Sequence, residues 1–133
     1  EPLAFAKFQE MHPEATESFM FPYGQHAGAS PDGVVGKDAI LEIKCPRATK
    51  FFKIVADENI DKEYYAQMQM QMLATDRNKA YFFNYLVHEG KEYWHEILVE
   101  RDEVMIELIK NRILEATEIK NEFINKLNIN PLS

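Results

Sequence analysis

The chain of 133 residues predicts a mixed α/β (α+β) fold, a central mixed β-sheet flanked by helices. Three observations carry that prediction. Runs rich in Val, Ile, Tyr and Phe fall on both sides of a segment of good helix formers, "EYYAQMQMQMLA" at 63–74. A long stretch near the C-terminus repeats apolar residues at helical spacing. Hydrophobic residues make up 46% of the chain and aromatics 12%, enough to fill the core of one domain spanning 1–133.

The elements follow in order. Pro2 suits a first helical turn, and Leu3, Phe5, Ala6, Phe8 and Met11 form an apolar stripe that ends near His12-Pro13. Residues 14–30 mix turn formers with Phe19, Met20, Phe21 and Tyr23, which predicts an irregular stretch with one short strand. Val34-Val35, the polar turn Gly36-Lys37-Asp38 and the run Ala39 to Cys45 read as a hairpin, stopped by Pro46. Strand alternation puts Leu41, Ile43 and Cys45 on one face and Ile40, Glu42 and Lys44 on the other.

In 63–74 Gln and Met alternate with the period of a strand, yet the window holds no β-branched residue, so a helix is expected. That helix aligns Tyr64, Gln67 and Gln71 along one stripe, with Tyr65, Met68 and Met72 beside it. Lys79–Val87 and Tyr93–Glu100 read as a second hairpin around "HEGKE". From Asp102 to Leu127 a long amphipathic helix is expected, with Met105, Ile109, Ile113, Ala116, Phe123 and Leu127 on its apolar side and Asn130-Pro131 closing it.

Composition removes several function classes. No apolar run is long enough to span a membrane, the N-terminus lacks a basic-then-apolar leader, and a single cysteine, Cys45, rules out an intrachain disulfide or a cysteine zinc cluster. A cytoplasmic protein is expected. The formal charge of -7 argues against loose, sequence-independent binding to nucleic acid. Locally the balance reverses: no acidic residue falls between Ile43 and Ala56, while Lys44, Arg47, Lys50 and Lys53 recur at intervals of three. Taken by itself, such a run is ordinarily a solvated face. His12, His26, His88 and His95 form no metal-ligand spacing and read as surface or satisfied core positions.

The pair Glu42 and Lys44 poses an energetic problem, because an ionised carboxylate inside a domain costs several kcal/mol unless it is paired or binds a cation. One solution is an exposed edge strand carrying a weak surface ion pair. The other is a divalent metal site, in which Asp32 at one strand end and Glu42 in the next converge on a hard cation, the Ile43 carbonyl adds an oxygen and Lys44 touches the attacking water. Such parts suit phosphodiester hydrolysis.

Asp32, a spacer of about ten residues and then Glu42-Ile43-Lys44 resembles the signature of the PD-(D/E)XK nuclease superfamily. "SPDG", "LEIKCP" and "YYAQMQMQM", in that order, resemble more narrowly the YqaJ-type viral recombinases typified by lambda exonuclease, and the likeness continues through "KAYFFNYLV" and "ILVERDE". The resemblance implies a restriction-endonuclease-like core and a phage-type exonuclease degrading linear duplex DNA 5′ to 3′ during recombination. It implies Mg2+ or Mn2+ held by Asp32, Glu42, the Ile43 backbone and Glu1, with Lys44 orienting water and Gln67 near the centre. Arg47, Lys50, Lys53 and Tyr64 would contact DNA. A ring-shaped homotrimer, a single-strand annealing protein as partner and a phage or prophage origin in a bacterial cytoplasm belong to the same expectation.

Two departures qualify it. The acidic residue that lambda exonuclease carries about ten positions before its SPDG aspartate is replaced here by Pro22, and the chain starts at Glu1 without the N-terminal region that grips the duplex and captures the 5′ phosphate. A fragment or processed product is therefore expected. The alternatives are a nuclease-like domain that binds DNA or protein without cutting, and a structure-specific endonuclease of the same superfamily.

Overall fold

A computed structural model describes residues 2–25 and 27–127; the expected closure at Asn130-Pro131, Glu1 and His26 lie outside the described residues. The chain opens with helix α1 (Pro2–Met11), followed by strands β1 (Ala15–Glu17), β2 (Phe21–Tyr23), β3 (Ala27–Ala29), β4 (Gly33–Val35) and β5 (Ala39–Lys44). Helices α2 (Ala48–Asp57) and α3 (Lys62–Thr75) lead to β6 (Lys79–His88) and β7 (Lys91–Glu100), and α4 (Glu103–Leu127) ends the described chain.

Five strands form one sheet in the order β1-β4-β5-β6-β7, and β2 pairs with β3 as a separate ribbon. Both expected hairpins form, β4 with β5 and β6 with β7. The pair β5–β6 is parallel, with Glu42 opposite Phe82 and Lys44 opposite Asn84, so the chain must cross over between them, and α2 and α3 make that crossover. β5 is consequently the central strand of the sheet.

The alternation expected along β5 is observed. On one face Leu41 packs with Phe83, Tyr85 and Ala15 against Ala4 and Phe8 of α1, with Ile43 at the margin. On the other, Ile40 packs with Ala80, Phe82 and Val99 against Met68 and Met72 of α3. Two side chains of α3 tie it to the start of α4: Gln69 donates to the Glu100 carbonyl at 3.0 Å and accepts from the Asp102 amide at 2.8 Å, and the Tyr65 hydroxyl donates to Asp102 Oδ2 at 2.7 Å. Asp102 then caps α4 by accepting from the Met105 amide at 3.1 Å.

Two features differ from the sequence expectation. Residues 14–30 hold three short strands rather than one. Residues 48–57, read as a basic run without assigned structure, form α2. Its ends lack the usual signals: Arg47 at the N-cap makes no side-chain capping bond, and Glu58 takes the left-handed position at φ 51°, where glycine is usual. Its inward side rests on Phe51 and Ile54, three residues apart, and Phe51 meets Tyr93 of β7 at 6.3 Å between ring centroids.

Candidate active site

Glu42 lies at the middle of the central strand and is only 4% exposed. The surface-pair reading of Glu42 and Lys44 is therefore overturned: the strand is not at an edge, and the carboxylate is inside. Its surroundings supply the compensation that a buried carboxylate needs. Gln71 of α3 donates from Nε2 to Glu42 Oε2 at 2.5 Å, and Lys44 Nζ stands 3.8 Å from Oε1.

Asp32, just ahead of β4, is fastened to β5 twice. Its amide donates to the Leu41 carbonyl at 2.9 Å, and its Oδ2 accepts from the Ile43 amide at 2.7 Å. This clamp brings the Asp32 carboxyl against that of Glu42. Burial, then the hydrogen bond and charge of Asp32, push the Glu42 carboxyl from an ordinary value of 4.5 up to about 7, against the opposing pull of Gln71 and Lys44. Two carboxyl groups held together, one of them largely desolvated, form a site that a cation would relieve. The donors are all oxygen, and with the Ile43 carbonyl they suit a hard divalent ion that retains several waters. Among the described residues no group of three or more His, Cys, Asp or Glu is gathered.

Lys44 points from the same face of β5 onto Tyr64, its Nζ 4.2 Å from the ring centroid. Lys50 approaches the same ring at 5.7 Å and is paired with Asp61 at 2.7 Å. Lys44, Arg47, Lys50 and Tyr64 line a cavity of about 360 Å³ together with Asn84 of β6. Lys53 lies one turn further along α2 and lines a neighbouring cavity with Asp57 and Asp61. A separate cavity of about 380 Å³ opens beside Asp32 and is lined by Glu17, Ser18, Ser30 and Ile43.

The residues expected from the sequence divide as follows. Asp32, Glu42, Ile43 and Lys44 are brought together, with Tyr64, Arg47 and Lys50 adjoining. Gln67, expected near the centre, is exposed on α3, and the glutamine that touches Glu42 is Gln71. Both lie on one helical stripe, four residues apart, and only the docking of α3 on β5 decides which reaches the carboxylate. Glu17 was also missed: paired opposite Gly33, it borders the cavity beside Asp32. No local signal marks it, since β1 is only three residues long. His12 is satisfied, as expected, with Nε2 at 2.8 Å from Glu96 Oε1 and its ring stacked on Phe8.

Residues 1–78 match the YqaJ-like viral recombinase domain. The structure is similar to an alkaline exonuclease from Laribacter hongkongensis, with TM-score 0.77 and 29% identity over 96% of this chain and 69% of that one. The same exonuclease in complex with dAMP gives TM-score 0.75 with the same identity and coverage. A phage-related exonuclease from Haemophilus somnus 129PT shares the fold at TM-score 0.64 and 17% identity, over 95% of this chain and 69% of that one. No curated protein matches this chain by sequence.

Proposed function

Since the chain belongs to the YqaJ-like viral recombinase family, we propose that it is a metal-dependent exodeoxyribonuclease that hydrolyses linear duplex DNA from its ends. The observation that carries this reading is the buried Glu42 held against Asp32, with Lys44 3.8 Å from the Glu42 carboxylate. A domain that only bound DNA would have no use for a desolvated carboxyl on its central strand, held against a second carboxyl and with its ionisation opposed by burial. The similarity to an alkaline exonuclease, also solved with a nucleoside monophosphate, supports the same class of reaction.

In this reading Asp32, Glu42 and the Ile43 carbonyl hold a divalent cation, magnesium or manganese, which would supply positive charge to a phosphate that gains negative charge as it reacts. Lys44 orients the attacking water and steadies a phosphate oxygen. The water oxygen bonds to phosphorus as the bond from phosphorus to the adjoining nucleotide's oxygen breaks; the water gives one proton to solvent, and the departing oxygen takes one from solvent to leave as an alcohol. Gln71 holds the Glu42 carboxylate in one orientation through its 2.5 Å hydrogen bond. Arg47, Lys50 and Lys53 present cations beside Lys44 that suit the phosphates of the strand being cut, and exposed Gln67 remains available to DNA rather than to the carboxylates. The 5′ to 3′ direction, a homotrimer, an annealing partner and action in the bacterial cytoplasm belong to the same proposal.

The test uses end-labelled linear duplex and covalently closed circular DNA, with magnesium, manganese or chelator, and with Lys44→Ala as control. The expected result is metal-dependent loss of the linear DNA alone, greatly reduced in the mutant. Cleavage of the closed circle would make the enzyme an endonuclease, and a folded, metal-binding protein that cuts neither substrate would be a binding domain.

A further inference from the structure

Asn84 of β6 is fully buried, and neither its Nδ2 nor its Oδ1 has a hydrogen-bond partner. Buried amides are almost always paired, so an orphaned one at a cavity wall is a candidate to bond a molecule that enters the cavity. It stands directly opposite Lys44 across the parallel pair β5–β6, which puts both side chains on the same face of the sheet. It forms part of the wall of the cavity of about 360 Å³ that Lys44, Arg47, Lys50 and Tyr64 also line. That volume lies in the range of small-molecule sites.

The two halves of the cavity ask for different chemistry. Three cations beside an aromatic ring suit a phosphate. The amide wants a group that offers an acceptor and a donor side by side, which a phosphate dianion does not provide. A nucleobase edge does, and so does a sugar hydroxyl. We infer that this cavity receives one nucleotide of the cleaved strand, its phosphate against Arg47 and Lys50 and its nucleoside part against the Asn84 amide. An amide can present its oxygen and nitrogen in either order, so it can pair with any of the four bases, as an enzyme that degrades DNA without regard to sequence requires. The inference rests on the exonuclease reading and adds to it a recognition residue, Asn84.

The test is titration of dTMP, deoxyribose 5-phosphate and inorganic phosphate into the protein in chelator, with Asn84→Ala and Arg47→Ala in parallel and the fold of each checked by thermal melting. Binding to parent protein is expected, with dTMP weakened about tenfold by Asn84→Ala and inorganic phosphate unaffected. Deoxyribose 5-phosphate separates the sources: if it shows the same loss, the sugar meets the amide, and if it behaves as phosphate does, the base meets it. Arg47→Ala should weaken all three probes, which keeps the site testable if the buried substitution unfolds the protein. Equal dTMP affinity in parent and Asn84→Ala, or no dTMP binding to a folded parent that still degrades linear DNA, overturns the inference and leaves the exonuclease reading standing. Asn84-dependent dTMP binding in a protein that cuts no DNA would keep the site and remove that reading.

Discussion

The two faces of β5 are one backbone under two rules. Toward α1 the strand shows Ala39, Leu41 and Ile43, packed on Phe8 and Phe83 in an apolar cluster. Toward α3 it begins in the same way with Ile40, then changes to Glu42 and Lys44, whose neighbours are Gln71, Tyr64 and Asn84. The first face is satisfied by its own contacts. The second carries a carboxyl pushed up to about 7 by burial and Asp32, and an amide without partners. Stability thus resides on one side of the strand, and the proposed chemistry, at some expense to stability, on the other.

Substitutions on the two faces should therefore separate activity from stability. The largest effect is expected from Glu42→Gln, which removes a proposed cation ligand and should lower cleavage by roughly a thousandfold or more, about 4 kcal/mol of barrier. The metal-free melting temperature of that variant should stay level or rise. Cleavage at the parental rate would take Glu42 out of the site, and a collapsed fold would contradict the division between faces.

Leu41→Ala, one residue away on the α1 face, should cost on the order of 3 kcal/mol in denaturant unfolding, since Leu41 is fully buried. Below its melting temperature it should retain most of its metal-dependent cleavage.

A smaller effect concerns pH. Glu42 titrates near 4.5 when unfolded and at about 7 when folded, so the folded state holds its proton more tightly. The stabilisation is fully present below the unfolded value and is lost as pH rises through about 7. In chelator, raising the pH from 4.5 to 8 should lower stability through this group by about 2 to 3 kcal/mol, and Glu42→Gln should abolish that component. A mutant with an unchanged pH slope would place the titration elsewhere.

The smallest change is expected from Gln71→Leu. It removes a donor that favours ionised Glu42, and should move the cleavage profile toward higher pH while the fold is kept. Gln67→Leu should leave the position of that profile unaltered, because Gln67 is exposed and Gln71 is the glutamine bonded to the carboxylate.

Much of this contrast was legible in the sequence. Alternation alone assigned Leu41 and Ile43 to one face and Glu42 and Lys44 to the other, and the absence of β-branched residues in 63–74 identified α3 despite its strand-like period. Both hairpins followed from their turns. The residues offered the convergence of Asp32 and Glu42 as one of two readings, and the resemblance favoured it over a surface ion pair. α2 was missed because its caps are Arg47 and Glu58, neither of which is a customary boundary residue. β1 to β3 are each three residues long, too short for a period to show. Gln71 and Asn84 were beyond reach for another reason: their roles depend on which residue of α3 settles over Glu42 and on the register of β6 with β5.

That register has a kinetic consequence. The hairpin β6–β7 needs only a two-residue turn at Glu89-Gly90 to form, whereas β5 meets β6 only after the whole of α2 and α3 has been laid across the sheet. Glu42 finds Gln71, and Lys44 faces Asn84, at that long-range closure. A nascent or refolding chain would then possess its hairpins before it possesses a working centre, and the appearance of nuclease activity would report the last docking step rather than the first collapse.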